Sequence, residues 1–248
     1  MLKFGVIVLF LVYVPTTVAT TCDACKTTYT ADKAAPADNP AKCTALAKYL
    51  TCLEGSEKND AGCQLATADA TIIKTEYDSF SCSTEAAFTD TCICQKDFWK
   101  TDQKSGAAAV CGASMAYIAC LKGKTNKACD GSTDVTALAT GVDTRITKLG
   151  KAHCPVTPTC QCEIHNAESD ISTDAKKCTA LTALKTCLSA ITSTTATGCI
   201  TGTQATLLTD TNTKLATCAA DHVTFAMTSL VVSVLVNMFL WRPSVLAL

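Results

Sequence analysis

Cysteine is the residue type in this chain whose chemistry and spacing carry most information. A cysteine can serve as a nucleophile, ligate a soft metal or pair into a disulfide, and the pattern decides which. The 18 cysteines of the 248-residue chain fall into three sets of six. The first is Cys22, Cys25, Cys43, Cys52, Cys63 and Cys82. The second is Cys92, Cys94, Cys111, Cys120, Cys129 and Cys154, and the third Cys160, Cys162, Cys178, Cys187, Cys199 and Cys218. Each set opens on a close pair, continues to a fixed C-x8-C and closes on a widely spaced pair. The central frame reads C-x-A-x6-C-L at Cys43–Leu53, Cys111–Leu121 and Cys178–Leu188. Such self-similarity marks three copies of one unit. An even cysteine count on repeated spacing in a secreted chain is a disulfide framework.

Other chemistry finds less support. Cys160-x-Cys162-x2-His165 has the look of a soft-metal site, but both cysteines belong to the repeat and the equivalent positions of the other copies lack a nearby histidine. Asp130-x-Ser132-x-Asp134 resembles the opening of a calcium loop without the distant glutamate that completes it, and reads as a turn or helix cap. The chain has no Gly-x-Ser-x-Gly elbow, His-Glu-x-x-His motif or phosphate loop. The reading is therefore of a non-enzymatic protein without cofactor or metal. A net charge of -1 also argues against a nucleic-acid partner.

The elements that position the cysteines read as helices. Asn39-Pro40 is a helix start and Gly55 a stop; Gly123 ends the corresponding run of the second copy, and Ser172 or Thr173 caps that of the third. Leu46, Leu50 and Leu53 recur at helical spacing, as do Leu181, Leu184 and Leu188. Gln64–Phe80 and Thr203–Thr217 are long enough for a last helix, and Lys26–Lys33 and Gln95–Lys104 for a short first one. The fold class is all-α: three tandem small disulfide-stapled helical modules, each with about three helices and three disulfides. Only 6% of residues are aromatic, so each thin core needs its staples.

Helix geometry restricts the pairing. The two cysteines of C-x8-C sit on opposite faces, roughly 13 Å apart along the axis, whereas bridged Cα atoms lie within about 7 Å. Antiparallel packing of consecutive helices brings the third cysteine to the sixth, giving Cys43–Cys82, Cys111–Cys154 and Cys178–Cys218. The opening pairs then take Cys52/Cys63, Cys120/Cys129 and Cys187/Cys199, in an order left open. The linkers Ser83–Thr91 and Pro155–Thr159 (P-V-T-P-T) suggest a short string of modules, the second linker extended and semi-rigid.

The aromatic residues pose a separate question. Tyr49 and Tyr117 occupy one position of the repeated helix, where the third copy has Leu184, which favours packing over an exposed binding surface. Phe98-Trp99 can cap the second core or form a contact patch.

The ends address the chain. Residues 1–19 read as a signal peptide: Lys3, an apolar run over Gly5–Val14, and small residues at Thr17-Val18-Ala19. The modules follow at 20–82, 92–154 and 160–218. Beyond Cys218 come small residues, a short mixed spacer and the apolar Leu230–Leu240, the pattern of a glycosylphosphatidylinositol anchor signal over 221–248 with Ala219 or Ala220 as the lipid-anchor residue. Arg242 departs from it, and the rival is a single span over Val223–Trp241. Asn-x-Ser/Thr acceptors are absent, while threonine runs such as Ile191–Gly198 leave O-linked sugar open, so that the surface can be that of a glycoprotein.

The expectation is a protein at the extracellular face of the cell membrane, held there by its lipid anchor, that recognises or adheres to an extracellular protein or glycan. The alternative is a secreted matrix or coat protein. A carrier holding a lipid between its helices comes third.

Overall fold

The computed structural model describes residues 21–35, 38–59, 65–101 and 103–218, and over these the chain is all-helical. The first module contributes α1 (Cys22–Ala34), α2 (Asn39–Asn59) and α3 (Thr67–Ser79), followed by a 3-10 turn at Cys82–Thr84. The second contributes α4 (Asp90–Trp99), α5 (Ala107–Leu121) and α6 (Val135–Leu149). The third contributes α7 (Pro158–Ala167), α8 (Asp174–Ser189) and α9 (204–218).

Local sequence explains most boundaries. Thr21, Thr89, Thr157 and Thr173 cap α1, α4, α7 and α8 by accepting from backbone N–H groups of the first turn. Asp38, rather than Asn39, holds the start of α2, its carboxylate accepting from the Ala41 N–H at 2.9 Å. After α5, Gly123 adopts a positive φ of 77°, so the chain leaves the helix where the sequence predicts.

Gly55 does not stop α2. The helix continues to Asn59 because the residues around the glycine are anchored: Glu54 and Ser56 are buried, and the Ser56 hydroxyl donates to Cys52 O. A Cβ at Gly55, or at Gly112 inside α5, meets nothing within 4 Å, and neither residue has positive φ. Gly55→Ala and Gly112→Ala are each expected to stabilise the protein by about 0.5–1 kcal/mol, read as a higher midpoint in thermal or urea denaturation. A lowered midpoint contradicts this account of the two helices.

The described disulfides fix how the helices lie. Cys43–Cys82, Cys111–Cys154 and Cys178–Cys218 join the start of each middle helix to the far end of the last one or to the turn just past it. Cys25–Cys52, Cys94–Cys120 and Cys162–Cys187 join the second cysteine of each set to the fourth, near the end of the middle helix. Cys92–Cys129 and Cys160–Cys199 join the first to the fifth. The order left open by the sequence is thus first to fifth and second to fourth. In the second and third modules the fifth cysteine sits in the loop ahead of the last helix, not on it. Cys22 is also disulfide-bonded, while Cys63 lies outside the described residues.

The modules are not a string. One continuous core runs from Cys25 through both first modules to Ile164 and Ala167 on α7. Both linkers are absorbed into it. In Ser83–Thr91, Phe88 is buried and meets Tyr77 edge-on with ring centroids 5.0 Å apart. In Pro155–Thr159, Val156 packs on the core, Thr157 caps α7 and Pro158 is its first residue. Two prolines so close suggest a spacer, but the second is spent starting a helix. Only α8 and α9 build apart, around a small cluster of Cys162, Leu184, Leu188 and Leu207.

Candidate functional site: the junctions between modules

The first junction is a buried polar knot inside aromatic packing. Trp99, fully buried at the end of α4, donates its indole N–H to the Glu54 carboxylate of α2 at 3.1 Å. Phe98 stacks on Tyr117 of α5 (5.1 Å), and the Arg145 guanidinium of α6 lies 4.2 Å from the Phe98 ring centroid and 5.2 Å from that of Trp99. Burial pushes the Tyr117 phenol well above its ordinary range; the Glu54 charge adds to this and Arg145 opposes it. Phe98-Trp99 is therefore an intermodule core element and not an exposed patch. Tyr49 is likewise packed, stacked on Tyr29 at 4.7 Å, as Leu184 is packed in the third module. Desolvation, then the hydrogen bond to Glu76, raises the Tyr29 phenol far above its usual value.

On either side of the second junction, within the second and the third module, one device recurs. Thr89 and Thr157 cap α4 and α7 and also donate to Lys127 O and Thr197 O. Two residues on, the Thr91 and Thr159 hydroxyls donate to Asn126 O and Ala196 O. Gln95 accepts from the Cys129 N–H at 2.7 Å, and Glu163 from the Cys199 N–H at 2.7 Å. Each device ties the opening helix to the loop carrying the fifth cysteine. Its sequence, T-x-T-C-x-C-[QE] at Thr89–Gln95 and Thr157–Glu163, was open to reading by aligning the two copies, but cysteine spacing alone passes over it.

Glu163 carries a charge that Gln95 lacks, and Lys122 at the end of α5 meets it at 2.7 Å across the module boundary. Glu163→Gln keeps an acceptor for Cys199 but loses this ion pair. It is expected to cost about 1–3 kcal/mol in a urea titration, since Glu163 is only 4% exposed. No change in the midpoint would show that Lys122 is satisfied by water alone.

Where this junction meets α8 and α9 the packing opens. A cavity of about 300 Å³ is walled by Leu121 and Val135 from the second module and by Ala180, Leu181, Leu184 and Leu207 from the third. Ala180 and Leu181 are buried yet join neither apolar cluster, so the cavity lies between the main core and the small one. A second hollow of about 210 Å³ adjoins it, with Val135 and Ile171 lining both.

The other sequence-marked residues fall away from these junctions. Cys160 and Cys162 both spend their sulfurs on disulfides, and His165 lies exposed with Nε2 3.1 Å from Gln161 Nε2. Asp130 forms a turn: its carboxylate accepts from the Ser132 and Thr133 N–H groups, each at 2.8 Å. Partial burial works to raise the Asp130 pKa, but hydrogen bonds from Thr133 and Ser132 outweigh it and hold the carboxyl at about 2. Ala219, Ala220, His222 and the tail over 221–248 lie outside the described residues, as does the signal segment 1–19. Among the described residues, no helix is long and apolar enough to cross a membrane. Comparison with protein families, with curated proteins and with solved structures finds no match to this chain.

Proposed function

We propose that the chain is a non-enzymatic cell-surface recognition or adhesion protein, tethered at the extracellular face by a glycosylphosphatidylinositol anchor on Ala219 or Ala220. The observation that carries this reading is the place of the last disulfide. Cys178–Cys218 closes the third module at the residue just before the small-residue site, so the stapled body ends where the spacer and apolar tail begin. The density of bridges suits an oxidising extracellular setting. Because the modules share a core, the surface offered to a protein or glycan partner is one composite body. Gains from three independently swinging heads do not apply within a chain.

The test is expression of the full chain in eukaryotic cells, treatment with phosphatidylinositol-specific phospholipase C and mass measurement of the released C-terminus. Release ending at Ala219 or Ala220 is the expected result. Retention with Arg242 still present replaces the anchor with a membrane span, and lipid-free protein in the medium replaces it with the matrix reading.

A further inference from the structure

We propose that the exposed loop ahead of α9 is a site of O-linked glycosylation, with Thr192, Thr194, Thr197 and Thr201 as the acceptors. The loop leads from the end of α8 to α9 and carries Cys199, the fifth cysteine of the third module. All four threonines are exposed.

What their hydroxyls do separates them from the threonines on either side. On α8 the Thr179, Thr182 and Thr186 hydroxyls donate to the carbonyl four residues back at 2.9–3.0 Å. On α9 those of Thr209 and Thr213 do the same at 3.0–3.1 Å. In the loop Ser193 and Thr195 share one bond at 3.4 Å. The hydroxyls of Thr192, Thr194, Thr197 and Thr201 make none among the described residues.

The main chain of the loop, by contrast, is held. The Ala205 N–H donates to Thr194 O at 3.3 Å, the Gln204 N–H to Ala196 O at 2.8 Å and the Gly198 N–H to Gly202 O at 3.0 Å. Thr197 also pairs with Thr203 in an isolated antiparallel bridge. The acceptor oxygens therefore stand outward on a fixed, non-helical segment. Ala196, Gly198 and Gly202 beside them leave room for a transferase.

The surface around them lacks charge. The matching loop of the second module carries Lys122, Lys124, Lys127, Asp130 and Asp134, whereas no residue from Thr186 to Thr209 is charged. Folded surfaces ordinarily keep their hydration through charged side chains. Here hydroxyls take that place, and a sugar extends it. Ile200, between Thr197 and Thr201, is 51% exposed, the one large apolar side chain left so open among the described residues. A glycan on either neighbour covers it.

The step is transfer from a phosphate-activated sugar. Threonine Oγ1 bonds to the anomeric carbon, the bond from that carbon to the donor phosphate breaks, and the phosphate leaves with the electron pair. The hydroxyl proton passes to a base of the transferase. The site rests on the extracellular reading of the chain but not on its lipid anchor.

The test uses the full chain made in eukaryotic cells, with its disulfides mapped first. Reduction, alkylation and trypsin then give one peptide over 186–214, because no lysine or arginine lies between Lys185 and Lys214. Electron-transfer fragmentation assigns each added hexose or N-acetylhexosamine to a residue. Sugar on one or more of the four loop threonines, with Thr186, Thr209 and Thr213 bare, is the expected map. Replacing the four by alanine together should remove the added mass, and Thr182→Ala should leave it unchanged. Should the fourfold variant misfold, the map of the unaltered chain carries the test. An oxidised chain bare at these four residues, or with sugar only elsewhere, overturns the proposal and leaves the extracellular reading in place. A chain found only reduced inside the cell overturns both.

Discussion

Trp99→Ala is expected to destabilise the protein by about 3–5 kcal/mol, the range for deleting a large aromatic from a core. Two losses combine. The indole is fully buried where the first and second modules meet, so truncation opens a cavity in the continuous core. The same change removes the donor that Trp99 supplies to the Glu54 carboxylate, which is itself only 8% exposed. Trp99→Phe separates the terms: it keeps most of the volume and loses the donor, for an expected cost of about 1.5–3 kcal/mol. Urea denaturation of both variants checks the account. If the modules are independent, Trp99→Ala should unfold the second alone and give two transitions. A shared core requires the first module to weaken with it, in one transition. Equal costs for the two variants would instead mean that the Glu54 bond carries the effect and the packing little.

This junction also marks where sequence reading stops. Periodicity finds residues that repeat: Leu46, Leu50 and Leu53, or Leu181, Leu184 and Leu188, each buried on its helix. Cysteine spacing with helix geometry leads to the third-to-sixth bridges because those ends must meet in antiparallel packing. Neither signal reaches Glu54, Gln95 or Glu163, single polar residues that read as solvent-facing yet lie buried with a specific partner. Their partners are on other elements, so no local pattern betrays them. The same limit explains the linkers. Pro158 and Phe88 have one meaning in an isolated strand of sequence and another once a helix end and a tyrosine ring are brought against them. The cavity escapes the sequence for a further reason: it exists because two apolar clusters fail to merge, a property of neither alone.

The second large effect is expected in the third module. The double substitution Cys178→Ala with Cys218→Ala should cost about 2–5 kcal/mol and release α9 before the rest of the chain unfolds. Loss of Cys43–Cys82 is expected to be milder in its local consequences, because that bridge lies within the main core beside Leu46, Leu50 and Ile73. The helices α8 and α9 have no such support. Their own cluster contains Leu184, Leu188 and Leu207, and Gln204, whose side-chain N–H donates to Leu188 O at 2.7 Å, fastens only the start of α9. The far end is held by Cys218, so without its bridge the last turns have little to outweigh the entropy of release. Amide hydrogen exchange on the two double variants tests the contrast. Rapid exchange over 207–218 with α2 still protected is the expected pattern. Equal protection of α9 in both variants would mean that the thin cluster suffices and that the staple at Cys218 closes the third module without shaping the fold.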